Sequence, residues 1–174
     1  MKKGNILAVV LMCFVFIGGW MFYKSKKETN TPQKLQQSGD ALNETAVSSG
    51  IQWQDYKKGV SLAKADGKHI FLYFHADWCP YCIKLKKTTF KDKKVQAYLA
   101  QNFISISADT DKEKHLASRW KVKGLPTLWF FKPDNAKIGS ISGYVDKKQF
   151  LHVLKYIHTK RYENMRFHDF LKQS

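Results

Sequence analysis

The sequence predicts an α/β domain, and three observations carry that prediction. Apolar runs of strand length alternate with segments of helical period. The chain has 174 residues with 44% hydrophobic and 14% aromatic side chains, enough for one packed core. No internal repeat divides it.

The elements follow in order. Trp53, Tyr56, Val60 and Ala63 recur at near-helical spacing and stop at Asp66-Gly67, which predicts a first helix. "HIFLYFHA" then reads as a buried strand, apolar from Ile70 to Phe74. "CPYC" follows at once, and Ile83, Leu85 and Thr89 among lysines predict a helix from Tyr81 to Phe90. Asp92 is placed to cap a further helix, Lys93 to Ala100, that turns Val95 and Leu99 inward.

"FISISAD", Phe103 to Asp109, alternates as strands do, and "KEKHLASRW" restores a helical pattern through Leu116 and Trp120. In "VKGLPTLWFF" a proline stands just before an apolar strand, where its missing N–H does no harm. Trp129, Phe130 and Phe131 are accordingly core residues. "KPDN" reads as a turn and "AKIGSIS" as an edge strand. Asp146 with Gln149 suits a capping box for a last helix bearing Phe150, Leu154 and Ile157. The predicted order is helix, strand, helix, strand, helix, strand, strand, helix.

Four regions are expected. Residues 1–23 hold an uncharged run, Ile6 to Tyr23, behind Lys2 and Lys3, nearly long enough for the ~30 Å hydrocarbon layer. No A-x-A pattern follows it, and Leu11 and Met12 before Cys13 make a poor lipoprotein site, so a retained signal-anchor is expected. Lys24, Lys26 and Lys27 balance the charges ahead of the run, while the short leading tail suits an anchor that leaves the rest outside the cytoplasm. The expected location is the bacterial inner membrane, with the domain on the periplasmic side. Residues 24–50 are polar and read as a flexible linker, residues 51–158 as the domain, and residues 159–174 as an extension that packs as a final helix or docks on a partner.

A net charge of +16 raises the question of nucleic acid. The basic residues are dispersed, however, and Lys84, Lys86, Lys87, Lys91, Lys93 and Lys94 read as solvated helix faces, so no nucleic-acid partner is expected. Cys79 and Cys82 pose three alternatives: a redox couple, half of a zinc site, or inert core residues. For zinc, His69, His75, His115, His152, His158 and His168 are the other ligand types, but no second close pair exists and no metal or cofactor is expected. Inert packing would not require a proline between the cysteines, an aromatic before them and the "GLPT" downstream.

A strand ending in "ADWCPYC", a helix, and "GLPT" before another strand resemble the thioredoxin fold. Within that superfamily "ADWC", "TTFKDKKVQAYL" and "VKGLPTLWFF" are most similar to the C-terminal thioredoxin-like domain of the DsbD disulfide reductases. The resemblance implies a central mixed sheet flanked by helices. It implies that Cys79 is an exposed nucleophile, Cys82 the resolving cysteine, and Pro126 a cis-proline that, with Leu125 and Trp78, meets the substrate. Cys79 at the first turn of a helix would be favoured as thiolate by nearby N–H groups and the positive end of the dipole.

The family pattern breaks at two positions. Tyr73 and Lys86 stand where acids are usual, which leaves water, His75 or Asp77 for proton transfer, with Tyr73 and Lys86 as tuning residues. The expected function is a membrane-tethered thiol:disulfide oxidoreductase that reduces disulfides of extracytoplasmic proteins. The alternatives are a redox-stapled binding or chaperone module, or a disulfide oxidase or isomerase. Only about twenty residues separate "FISISAD" from "GLPT", too few for the helical insertion of the oxidases, and the linker lacks apolar residues for a dimerisation domain. A single apolar segment cannot form a multi-helix electron conduit, so an external donor, a DsbD-like membrane protein, is expected.

Overall fold

The computed structural model describes residues 50–173. The expected signal-anchor, residues 1–23, and all of the linker except Gly50 lie outside the described residues. Among the described residues no helix is long and apolar enough to cross a membrane.

The sheet is built around one strand. In β2 (His69–His75) all seven residues are buried, as an apolar run with neighbours on both edges and both faces requires. It pairs in parallel with β3 (Phe103–Asp109), which pairs in parallel with β1 (Trp53–Gln54). On its other edge it pairs antiparallel with β4 (Thr127–Phe131), which pairs antiparallel with β5 (Lys137–Ser142). The order is β1-β3-β2-β4-β5, a mixed sheet with β5 at one edge as expected.

Alternation along β2 divides the core in two. Phe71 and Tyr73 face one side with Leu85 of α2 (Pro80–Lys87), Val95 and Leu99 of α3 (Lys93–Asn102), and Phe150 and Leu154 of α5 (Lys147–His158). Ile70, Leu72 and Phe74 face the other, where Ala63 of α1 (Tyr56–Asp66) and Leu116 of α4 (Lys114–Arg119) cover them. Helices therefore flank both faces.

The predicted first helix is corrected at its start. The Asp55 side chain accepts the Lys58 N–H at 2.8 Å, so the helix begins at Tyr56. Trp53 belongs to β1, opposite Ser105, with its ring 5.9 Å from Phe71 and 5.7 Å from Tyr73. The helix expected from Tyr81 to Phe90 is also corrected: it runs from Pro80 to Lys87 and is followed by a 3-10 turn, Thr89–Lys91. Thr89 breaks the period because its hydroxyl donates to the Val145 carbonyl at 2.7 Å, drawing the chain toward the β5–α5 connection.

Asp92 caps as expected, accepting from the N–H groups of Lys94 and Val95, and Asp146 accepts from those of Lys148 and Gln149, which is the N-cap half of the expected capping box. Such a cap contributes about 1 kcal/mol. Residues 159–173 pack on α5 through a 3-10 turn (Arg161–Glu163) and α6 (Phe167–Leu171). There Tyr156 stands 5.3 Å from Phe167 and donates its hydroxyl to the Met165 carbonyl at 2.6 Å.

Candidate active site

The two cysteines sit where β2 gives way to α2. Pro80 occupies the first helical position, where no N–H is needed, and Cys79 is the N-cap with extended backbone (φ −80°, ψ 111°). Its Sγ accepts the Cys82 N–H at 3.1 Å. That contact puts the sulfur at the positive end of the helix, the setting that lowers a thiol's pKa once the bond is reduced. Cys79 and Cys82 are joined by a disulfide, their Cα atoms 5.2 Å apart.

One expectation requires correction here. Cys79 is 3% exposed and Cys82 fully buried. In this oxidised form the sulfur of Cys79 is turned toward Cys82 and its backbone, within the same core cluster as Ala76 and Leu85. The exposed surface is carried instead by the flanking rings, Trp78 at 68% and Tyr81 at 59%.

Sheet register gathers the remaining groups. β4 begins with Thr127 opposite Phe74, so Leu125 and Pro126 lie at the same end of the sheet as the cysteines. The Leu125–Pro126 peptide bond is cis, and the Pro126 carbonyl accepts the Gly143 N–H at 2.8 Å. Leu125 packs against both halves of the core. Trp78 donates its indole N–H to Asp111 at 2.9 Å, and Asp111 is itself held by its N–H to the Asp109 carboxylate at 3.0 Å.

A cavity of about 520 Å³ is lined in part by Trp53, Tyr73, His75, Lys86 and Ser107. Tyr73 donates its hydroxyl to the Cys82 carbonyl at 3.4 Å, and its ring stacks on His75 with centroids 4.9 Å apart. Burial pushes the Tyr73 phenol well above its ordinary pKa, so it remains protonated and a donor.

The Lys86 ammonium stands 3.5 Å from His75 Nδ1 and 3.9 Å from the Asp77 carboxylate. An ammonium can only donate, so Nδ1 accepts and the imidazole proton resides on Nε2, which donates to Ser107 Oγ at 2.9 Å. Burial, and then the charge of Lys86, hold the His75 pKa below its ordinary value of 6.5. Asp77 is largely solvated, its side chain 82% exposed.

The structure thus places Tyr73, His75 and Lys86 on one cavity beside Cys82, with Asp77 reaching it only through Lys86. Three residues escaped the sequence: Asp111, Ser107 and Tyr144. Ser107 arrives by the register of β3 against β2, Asp111 by the turn after β3 and Tyr144 by the connection after β5, and no local motif marks any of them. Among the described residues no cluster of His, Cys, Asp or Glu is arranged to hold a metal ion.

Residues 56–158 match the family model described as a thioredoxin-like domain. The thiol:disulfide interchange protein DsbD of Yersinia pestis is 36% identical over 99 residues, covering 54% of this chain and 17% of the relative. DsbD of Photorhabdus laumondii is 28% identical over 127 residues, covering 70% of this chain and 21% of the relative. The chain therefore spans about a fifth of the length of these relatives. Among solved structures, a thioredoxin from Thermus thermophilus superposes with a TM-score of 0.58 at 29% identity, over 62% of this chain and 87% of that one. The DsbH oxidoreductase gives 0.54 at 21% identity, over 78% and 96%, and supports the fold alone.

Proposed function

The chain belongs to the thioredoxin-like domain family, and from that premise we propose that it is a protein-disulfide reductase working through Cys79 and Cys82. The observation that carries the reading is the Cys79 sulfur at the helix N-cap, accepting the Cys82 N–H and already bonded to Cys82. A pair so placed can cycle between dithiol and disulfide without rearranging the helix that holds it.

In the reduced protein the Cys79 thiolate attacks one sulfur of a client disulfide. A Cys79–client bond forms, and the other client sulfur leaves as a thiolate that takes up a proton. Cys82 then loses its proton and attacks Cys79 Sγ, closing the intramolecular disulfide and releasing the second client thiolate. The second client thiolate is protonated from water, so the client gains two electrons and two protons; the protein gives up two electrons and the Cys82 proton, the Cys79 proton having gone to solvent when its thiolate formed. Trp78, Leu125 and Pro126 are the groups beside which the client segment lies, and the Tyr73, His75 and Lys86 cavity is where the Cys82 proton is received through water.

The wider reading is a chain tethered through residues 1–23 to the bacterial inner membrane, acting on extracytoplasmic disulfide-containing proteins and re-reduced by a DsbD-like membrane protein. The uncharged run Ile6 to Tyr23 and the similarity to DsbD support it.

The test is insulin-disulfide reduction by the purified protein. Cys79→Ser abolishes turnover, and Cys82→Ser accumulates a mixed disulfide with the client. Turnover that survives Cys79→Ser excludes the mechanism, and a protein with neither turnover nor any trapped adduct is left as a stapled binding module. In cells lacking the donor the pair accumulates oxidised; a pair that stays reduced excludes that route.

A further inference from the structure

On the solvent side of α2, Tyr81, Lys84 and Thr88 recur three and four residues apart and form one stripe leading away from the disulfide. Tyr144 closes onto this stripe from the β5–α5 connection. The Thr88 hydroxyl donates to the Lys84 carbonyl at 2.8 Å, so its one proton is committed, and the Tyr144 hydroxyl donates to Thr88 Oγ1 at 3.2 Å. The Lys84 ammonium stands over the Tyr144 ring, 4.4 Å from its centroid. The chain reaches this position through Gly143, whose φ of +92° belongs to the region glycine tolerates and whose N–H bonds the Pro126 carbonyl. Tyr144 is therefore fixed between α2 and the Pro126 loop.

The two sides differ in charge. On the Trp78 side stand the carboxylates of Asp111 and Asp77. By Tyr144, α2 presents Lys84 and carries no acid, neither Lys84 nor Lys87 is among the ion pairs of the described residues, and the nearest carboxylate in the chain, Asp146, is engaged in capping α5. We propose that Lys84, Thr88 and Tyr144 form one wall of the client groove and that this wall selects client segments bearing a carboxylate beside the reacting cysteine. The inference rests on the reductase reading and adds the chemistry of the client to it. Apolar rings at the centre with cations at the rim fit an acidic partner segment, since opposed rim charges raise encounter rates and fix orientation.

The experiment uses the full-length protein and three disulfide peptides identical except for Glu, Ser or Lys next to the cysteine. kcat/KM is compared within each enzyme variant, so that changes in intrinsic reactivity cancel. The wild type reduces the Glu peptide about two- to fivefold faster than the Lys peptide, the range expected of exposed charge pairs. That ratio shrinks as salt is raised. Lys84→Gln brings it toward one and Lys84→Glu inverts it. Lys64→Glu, on α1 across the sheet, changes net charge equally and leaves the ratio alone. A wild-type ratio of one, or a ratio unmoved by Lys84→Glu, overturns the proposal while the reductase reading stands. Failure to reduce any of the three peptides removes both.

Discussion

At the scale of single residues, the cavity lined by Tyr73, His75 and Lys86 brings together a phenol, an imidazole and an ammonium. Tyr73 and Lys86 occupy positions where the resembling families carry acids; the Tyr73 phenol donates to the Cys82 carbonyl, and Lys86 follows Cys82 by one turn of α2. The Lys86 charge is aimed at His75 Nδ1 and Asp77. A cation near a dithiol stabilises thiolate and hence the reduced form, which raises the reduction potential of the pair. We expect a potential above the roughly −270 mV of thioredoxin, and a lower one after Lys86→Glu. The same change replaces a repelling cation with an attracting anion beside His75, so the His75 pKa, now held below 6.5, rises. Equilibration against glutathione and an NMR titration of His75 read the two effects separately. A raised His75 pKa with an unmoved potential would mean that Lys86 acts on the histidine and has no hold on the sulfurs.

Among the elements, α1 and β3 meet at a close contact. Gly59 lies against Ile106, and a Cβ added there would come within 2.6 Å of Ile106 Cδ1 and closer still to its Cγ1. Gly59→Ala normally gains helix propensity, but here the helix must move off the sheet, so a net loss of about 1–3 kcal/mol is expected. The denaturant midpoint checks this, and an unchanged or higher midpoint would show that α1 is free to shift. This contact is invisible in the sequence, because the helical pattern names the buried face and not the distance between layers. The pattern did reveal strands with a continuous or alternating apolar run, such as β2 and "FISISAD", and caps such as Asp92 and Asp146. It misassigned Trp53, since a two-residue strand has no period to detect and tryptophan suits either element. It ran α2 through Thr88 and Thr89, whose tertiary bonds to Tyr144 and Val145 end the helix. The same limit applies at the site: Cys79, Cys82 and Pro126 lie in short motifs, whereas Asp111 and Tyr144 come from 29 or more residues beyond the cysteines in the chain.

For the molecule as a whole, two buried histidines at opposite ends of β2 couple protonation to folding. His75 lines the cavity it shares with Tyr73 and Lys86, and His69 lies at the other end, 3.3 Å from the Tyr162 hydroxyl and under the packed C-terminal residues. Burial is the main cause of the lowered pKa of both; His158 and Lys160 add to it for His69, as Lys86 does for His75. In the unfolded chain both return to about 6.5, so below that pH the unfolded state binds more protons than the folded one. Their contribution to stability is therefore complete above pH 6.5 and is lost as pH falls, at no more than about 1.4 kcal/mol per pH unit for each proton, until the lowered folded pKa values are passed. Each proton also adds to a chain that already carries +16. Asp92 and Asp109, lowered chiefly by backbone N–H bonds, contribute stability that is lost only nearer their ordinary value of 3.8 and below. The range between pH 6.5 and 5 thus isolates the histidines. Denaturant midpoints of the oxidised protein should fall steadily across that range, with a slope reduced in His69→Gln and again in the double variant with His75→Gln. Reading the slope within each variant separates this effect from any uniform loss caused by altered packing. A midpoint that stays flat from pH 8 to 5 in the wild type, or a slope equally steep in the double variant, would show that these two residues are not the groups that take up the protons.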